Sequence, residues 1–171
     1  MLTSIAQPIS DVSIVGMYRT GKSYLVNKLI KTKQLGFRTG ASTQSVTKGL
    51  SIWGRPIAAS DEFGQDLYYI VIDSEGIGSC EQEVKYDMKL LTLVFLISST
   101  VIYNSMGAID ELALDQLRVV TNLKNCLGGQ MPSEKTRLVW VLRDFALQLI
   151  DRNGCELTAN QYLEHCLEDV A

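Results

Sequence analysis

With 171 residues, 46% of them hydrophobic and 20% charged, the chain has the balance of one moderate-sized folded domain with a real hydrophobic core. Its net charge of −3 offers no basic field to nucleic acid or to an anionic membrane, so a phosphate site has to be built locally. The four cysteines, Cys80, Cys126, Cys155 and Cys166, form no CxxC pair and the single His165 cannot complete a zinc set with them, so reduced thiols of a cytoplasmic protein are expected.

In chain order, MLTSIAQPIS lacks the basic-then-apolar pattern of a signal peptide. DVSIVG (11–16) is a β-branched run ending in glycine and predicts a buried strand. SYLVNKLIKTK places Leu25, Leu29 and Ile30 at helical spacing, so a helix is expected to start near Thr20–Lys22. GFRTGASTQSVTKG (36–49) is rich in Gly, Ser and Thr and predicts a mobile loop. LSIWGRPI (50–57) and DLYYIVID (66–73) predict the next strands, with DEFG as the turn between them. EQEVKYDMK predicts a polar helix, and LLTLVFLISS (90–99) a continuous apolar strand. The longer run to Tyr103 is too short and too hydroxyl-rich to span a bilayer, and the ending EDVA carries no prenylation box. IDELALDQLRVVTNLKNCL (109–127) predicts an amphipathic helix stopped by Gly128-Gly129. RLVWVLRDF (137–145) predicts a strand ending in charge, and LTANQYLEHCLEDVA a helix capped at Thr158.

Strands alternating with helices, several of the strands unbroken apolar runs, predict a three-layer α/β fold with a mostly parallel central sheet. In such folds ligands gather at the carboxyl ends of strands, and each polar motif here follows a strand. Gly16 to Ser23 spells G-x-x-x-x-G-K-S, the phosphate loop of P-loop NTPases. Backbone N–H groups curl around phosphate oxygens, Lys22 reaches the β/γ-phosphates, and the Ser23 hydroxyl meets Mg²⁺. IDSEGIG places Asp73 where a magnesium-water carboxylate is wanted and offers the Gly76 N–H to a γ-phosphate. A hydroxyl closing over the metal is expected between the two motifs, and Thr43, Ser45 and Thr47 all lie there. In LRD, Asp144 can accept from guanine N1–H and its 2-amino group, donors that adenine lacks; an Arg-Asp pair alone is more often a solvated surface couple.

The intervening words are more specific. MYRTGKSYLVNKL, STQSVTKG, IDSEGIG, LISSTVIYNSMGAIDELALDQL and WVLRDF together resemble the GTPase domain of the guanylate-binding proteins, dynamin-related large GTPases, from about residue 11 to 165. STQSVTKG and SSTVIYNSMG favour this family over the related membrane-tethering atlastins. The resemblance implies that Arg19 is an arginine finger supplied in cis, and that Thr47 is the switch threonine contacting Mg²⁺ and the catalytic water. It implies that Ser45 and Glu75 orient that water and pass on its proton, and that Arg143-Asp144 reads the base in place of the more widespread Asn-Lys-x-Asp. The nucleotide-binding set it implies is Gly16, Tyr18, Arg19, Thr20, Gly21, Lys22, Ser23, Tyr24, Gly76, Arg143 and Asp144, with Ser23, Thr47 and Asp73 toward the metal. Asp87 falls where the family often carries an acidic residue behind the catalytic loop, whereas Ser79 stands where an acidic residue is usual.

The resemblance further implies Mg²⁺-dependent hydrolysis of GTP to GDP and phosphate and nucleotide-dependent self-association, while the residues themselves predict no membrane anchor in this chain. Relative to that family, residues 1–171 are expected to form a single GTPase domain lacking its last strand, guanine cap and helical stalk. An exposed sheet edge would follow. A nucleotide-gated assembly module with little hydrolysis, an atlastin-like GTPase and an ATP-using P-loop enzyme are the alternatives.

Overall fold

A computed structural model of the chain describes residues 5–31, 36–39, 47–61, 63–78, 84–126 and 136–168. Its strands are β1 (Ile9–Val15), β2 (Leu50–Ile52), β3 (Ile57–Ser60), β4 (Asp66–Ser74), β5 (Thr100–Met106) and β6 (Arg137–Arg143), and its helices α1 (Lys22–Leu29), α2 (Val84–Ile97), α3 (Glu111–Cys126) and α4 (Ala159–Glu168). The strands form one sheet in the order β2-β4-β1-β5-β6, with β3 paired to the other half of β4. β1 runs parallel to β4 and β5, and β5 parallel to β6, while β2 and β3 are antiparallel to β4. Ile14 is level with both Asp73 and Ile102, so the carboxyl ends of the three central strands open on one edge of the sheet.

Strand alternation sends neighbouring residues of β1 to opposite faces, and the core follows that division. Val15 packs with Leu91, Val94, Tyr103, Leu117 and Val120 under α2 and α3. Ile14 packs instead with Val26 of α1 and Val71 of β4. Burying an aliphatic side chain of this size contributes about 1.5–3 kcal/mol, so both faces of β1 hold the layers on the sheet. The expected three-layer α/β architecture with a mostly parallel sheet is borne out.

Two sequence expectations are corrected. LLTLVFLISS does not form a strand: residues 90–97 are the second half of α2, and the strand begins at Thr100. Leu90, Leu91 and Val94 are buried while Leu93 and Ile97 are exposed, a helical spacing hidden inside an unbroken apolar run. LSIWGRPI is likewise not one strand. It pairs with β4 over Leu50–Ile52, where the Trp53 N–H still donates to the Val71 carbonyl at 2.8 Å, and again from Ile57; the break falls at GRP, where Pro56 cannot donate to a ladder. At the other end, Thr158 caps α4 through a reciprocal pair: its hydroxyl accepts from the Gln161 N–H at 3.2 Å, and Gln161 Oε1 accepts from the Thr158 N–H at 2.8 Å. The predicted stop at Gly128-Gly129 and residues 40–46 of the loop 36–49 lie outside the described residues.

Candidate functional site

β1 ends at Val15 and α1 begins at Lys22, and the six residues between them form the loop that the sequence marked. Gly16 has a φ of 143°, and a Cβ there would collide with the carbonyl oxygen of Asn104 on β5. Gly21 caps α1 in the left-handed conformation, and among the described residues no side chain caps the helix. The first N–H groups of α1 therefore lack a side-chain acceptor, the arrangement that receives phosphate oxygens. The loop is folded back on itself: the Met17 carbonyl accepts from the Thr20 hydroxyl at 2.8 Å and from Lys22 Nζ at 3.0 Å.

The loop is also stitched to the chain after β4. The Tyr18 N–H donates to the Ile77 carbonyl at 2.9 Å, and the Ile77 N–H to the Gly16 carbonyl at 3.1 Å, which holds buried Gly76 against Tyr18. The IDSEGIG segment and the phosphate loop are thus one continuous surface.

Beneath that surface, Asp73 at the end of β4 receives two hydroxyls on one carboxylate oxygen. Ser23 Oγ donates at 2.6 Å and Thr47 Oγ1 at 3.1 Å, so three residues spread over the sequence meet at one atom. The other Asp73 oxygen is buried with no hydrogen-bond partner among the described residues. Burial pushes the Asp73 carboxyl above its ordinary value, against the opposing hydrogen bonds from Ser23 and Thr47 and the charge of Lys22. Burial likewise lowers Lys22 to about 8, with Asp73 and Glu75 pulling it back up.

Glu75 is buried and clasps the segment carrying Thr47. Its N–H donates to the Gly49 carbonyl at 2.8 Å, and its Oε2 accepts from the Gly49 N–H at 2.8 Å. Asp87, buried on α2, accepts from the Gly78 N–H at 2.7 Å and so supports the same loop from behind.

The remaining predicted residues lie at the rim. Arg19 and Asp144 are exposed and have φ values of 63° and 53°; with Lys31 they are the non-glycine residues at positive φ among the described residues. Side chains rarely adopt this conformation, and where they do it marks sites that the surroundings force. Arg143, beside Asp144, crosses to the phosphate loop, where Nη1 donates to the Thr20 carbonyl at 3.0 Å. Tyr24 points outward on α1 with Lys28 Nζ 5.3 Å from its ring centroid. Ser45 lies outside the described residues, as does Thr43; of the three candidate hydroxyls, Thr47 is the one placed, and it meets Asp73.

One residue at the site had no predicted role. Asn104, wholly buried on β5, donates from Nδ2 to the Thr20 carbonyl at 2.9 Å. β5 reads TVIYNSM, and nothing in those letters sets Asn104 apart from its polar neighbour Ser105.

The residues around this site match a known family over nearly their whole length. A family model described as the guanylate-binding protein N-terminal domain matches residues 1–170. The chain belongs to the guanylate-binding protein family. It is similar to guanylate-binding protein 2 of Mus musculus, with 40% identity over 98% of this chain and 30% of the relative. Guanylate-binding protein 5 of Mus musculus is 39% identical and guanylate-binding protein 3 of Homo sapiens 38% identical over the same shares. The chain spans about 30% of the length of these relatives. Among the described residues, no helix is long and apolar enough to cross a membrane.

Proposed function

We propose that this guanylate-binding protein domain binds guanine nucleotide with Mg²⁺ and hydrolyses GTP to GDP and phosphate. The observation that carries the reading is the meeting of Ser23 and Thr47 on Asp73, beside Lys22 and the uncapped start of α1. The names of the relatives supply the guanine, and the exposed Asp144 next to the loop-bound Arg143 supplies a reader for it.

The residues fit magnesium. Two hydroxyls and a carboxylate with one oxygen unpartnered are a hard oxygen set, and magnesium takes few protein ligands, completing its shell with water and phosphate. Consistently, no group of three or more acidic, histidine or cysteine side chains is gathered for a metal among the described residues. Ser23, Thr47 and Asp73 would hold the ion, which when bound neutralises charge on the β- and γ-oxygens.

The chain's own groups do the rest. The first N–H groups of α1 and the Lys22 ammonium grip the phosphates, and burial of Lys22 strengthens that attraction. Glu75, with Ser45, orients a water in line with the γ-phosphorus and takes up its proton through hydrogen bonds. As the water oxygen bonds to phosphorus, the bond to the bridging oxygen breaks and GDP leaves with that electron pair. Arg19 turns over the γ-phosphate and bridging oxygen and stabilises the charge that gathers there. Nucleotide-dependent self-association belongs to the same proposal, and the resemblance to the family supports it.

Phosphate release from GTP and Mg²⁺, followed at several protein concentrations for the wild type and Arg19→Ala, tests this reading. Turnover is expected to rise with concentration, and the substitution to slow it by about a hundredfold or more while nucleotide affinity stays nearly intact. Tight GTP binding with negligible phosphate release at every concentration would leave a nucleotide-gated assembly module in place of a hydrolase.

A further inference from the structure

The Thr20 carbonyl sits at the centre of the phosphate loop, directly after Arg19 and directly before Gly21 and Lys22. Thr20 is buried, and its carbonyl oxygen receives two donors, Asn104 Nδ2 at 2.9 Å and Arg143 Nη1 at 3.0 Å. The donors come from adjacent parallel strands, β5 and β6, and from positions 84 and 123 residues away. The same two residues fill the space that a Cβ would need at each signature glycine: the Asn104 carbonyl lies against Gly16, and the Arg143 guanidinium against Gly21. Both glycines of G-x-x-x-x-G-K-S are thus seated on this pair.

The orientation of that carbonyl has a direct consequence. In a trans peptide the C=O and the following N–H point to opposite sides. Holding the Thr20 oxygen toward Asn104 and Arg143 turns the Gly21 N–H to the opposite side, away from those two side chains. Asn104 does this at a cost, since its own Oδ1 is buried with no hydrogen-bond partner among the described residues. A wholly buried amide that spends its donor on a carbonyl of another element is hard to account for by packing alone.

We infer that Asn104 is a positioning residue which, together with Arg143, sets the Thr20–Gly21 peptide for phosphate and couples the base-reading end of the site to the phosphate loop. The inference rests on the function proposed above. Because Arg143 and Asp144 are consecutive, a base held by Asp144 holds Arg143 on Thr20, and through Thr20 it steadies both Arg19 and Lys22. A shared acceptor also predicts a particular energetic pattern. Losing one donor leaves the Thr20 carbonyl satisfied by the other, whereas losing both leaves it buried and unpaired.

The test measures affinity for GMP and GDP in the wild type, Asn104→Ala, Arg143→Met and the double variant. Each single variant is expected to weaken GDP about five- to tenfold while GMP changes by less than about twofold. The double variant should lose more than about three-hundredfold for GDP, beyond the product of the singles. Arg143→Lys, which keeps a donor, should recover most of the loss, and Asn104→Leu, close in shape and without a donor, serves if Asn104→Ala does not fold, as judged by melting without nucleotide. Equal losses for GMP and GDP, or a double variant equal to the product of the singles, would overturn the inference. If the wild type binds ADP as well as GDP, the guanine reading fails instead, and the inference is then decided by the same ratio with ADP and AMP.

Discussion

At the phosphate end of the site, side chains hold one another before any ligand arrives. Ser23 and Thr47 meet on Asp73, Lys22 reaches the Met17 carbonyl, and Glu75 clasps Gly49. At the base-reading end, Asp144 is exposed just past β6 in a left-handed conformation, and its neighbour Arg143 makes the link to the loop. The phosphate end is a pre-built grip whose groups are already desolvated. The rim carries Arg19 and Asp144, both exposed and both at positive φ. Changes at the first should alter binding itself, and changes at the second should alter rate or selectivity.

The sharpest way to break this division is Lys22→Ala. A unit charge about 4 Å from a phosphate oxygen contributes about 4 kcal/mol near a protein surface, so a loss of about a thousandfold in GDP and GTP affinity is expected by titration calorimetry. A loss below about tenfold would mean that Lys22 does not reach phosphate. By contrast, the Arg19 substitution should leave affinity nearly untouched.

A smaller effect comes from pH. Lys22 is lowered to about 8 by burial, from an ordinary value of 10.5. Between those two values the unfolded chain binds more protons than the native one, so this group makes stability rise with pH across that window. Phosphate restores the charge on Lys22, so nucleotide binding above pH 8 takes up a proton. GDP affinity should fall by up to about tenfold per pH unit from 8 toward 10, with proton uptake visible as heats that differ between buffers. An affinity flat across that range would place phosphate away from Lys22.

Much of the phosphate end was legible because its chemistry sits in contiguous letters: Gly16 to Ser23 is a loop and helix start, and Asp73 ends a readable strand. Thr47 was one of three hydroxyls until the fold brought it to Asp73, a contact across 26 residues that no spacing specifies. Asn104 was not legible, because its partner is a backbone carbonyl 84 residues away and backbone atoms leave no trace in composition. The α2 misreading has a different cause. Leu90 to Ile97 is apolar on nearly every side, so strand and buried helix share one pattern until the neighbouring layers are known.

The central claim, a guanine-specific site built on a shared phosphate grip, is tested most directly by competition between GTP and ATP for the wild type and Asp144→Ala. GTP is expected to be preferred by about a hundredfold or more in the wild type, because ATP would leave the Asp144 carboxylate without its donors. In the variant that preference should shrink to within about tenfold, with ATP affinity unchanged. Equal affinity of the wild-type domain for GTP and ATP would contradict the account.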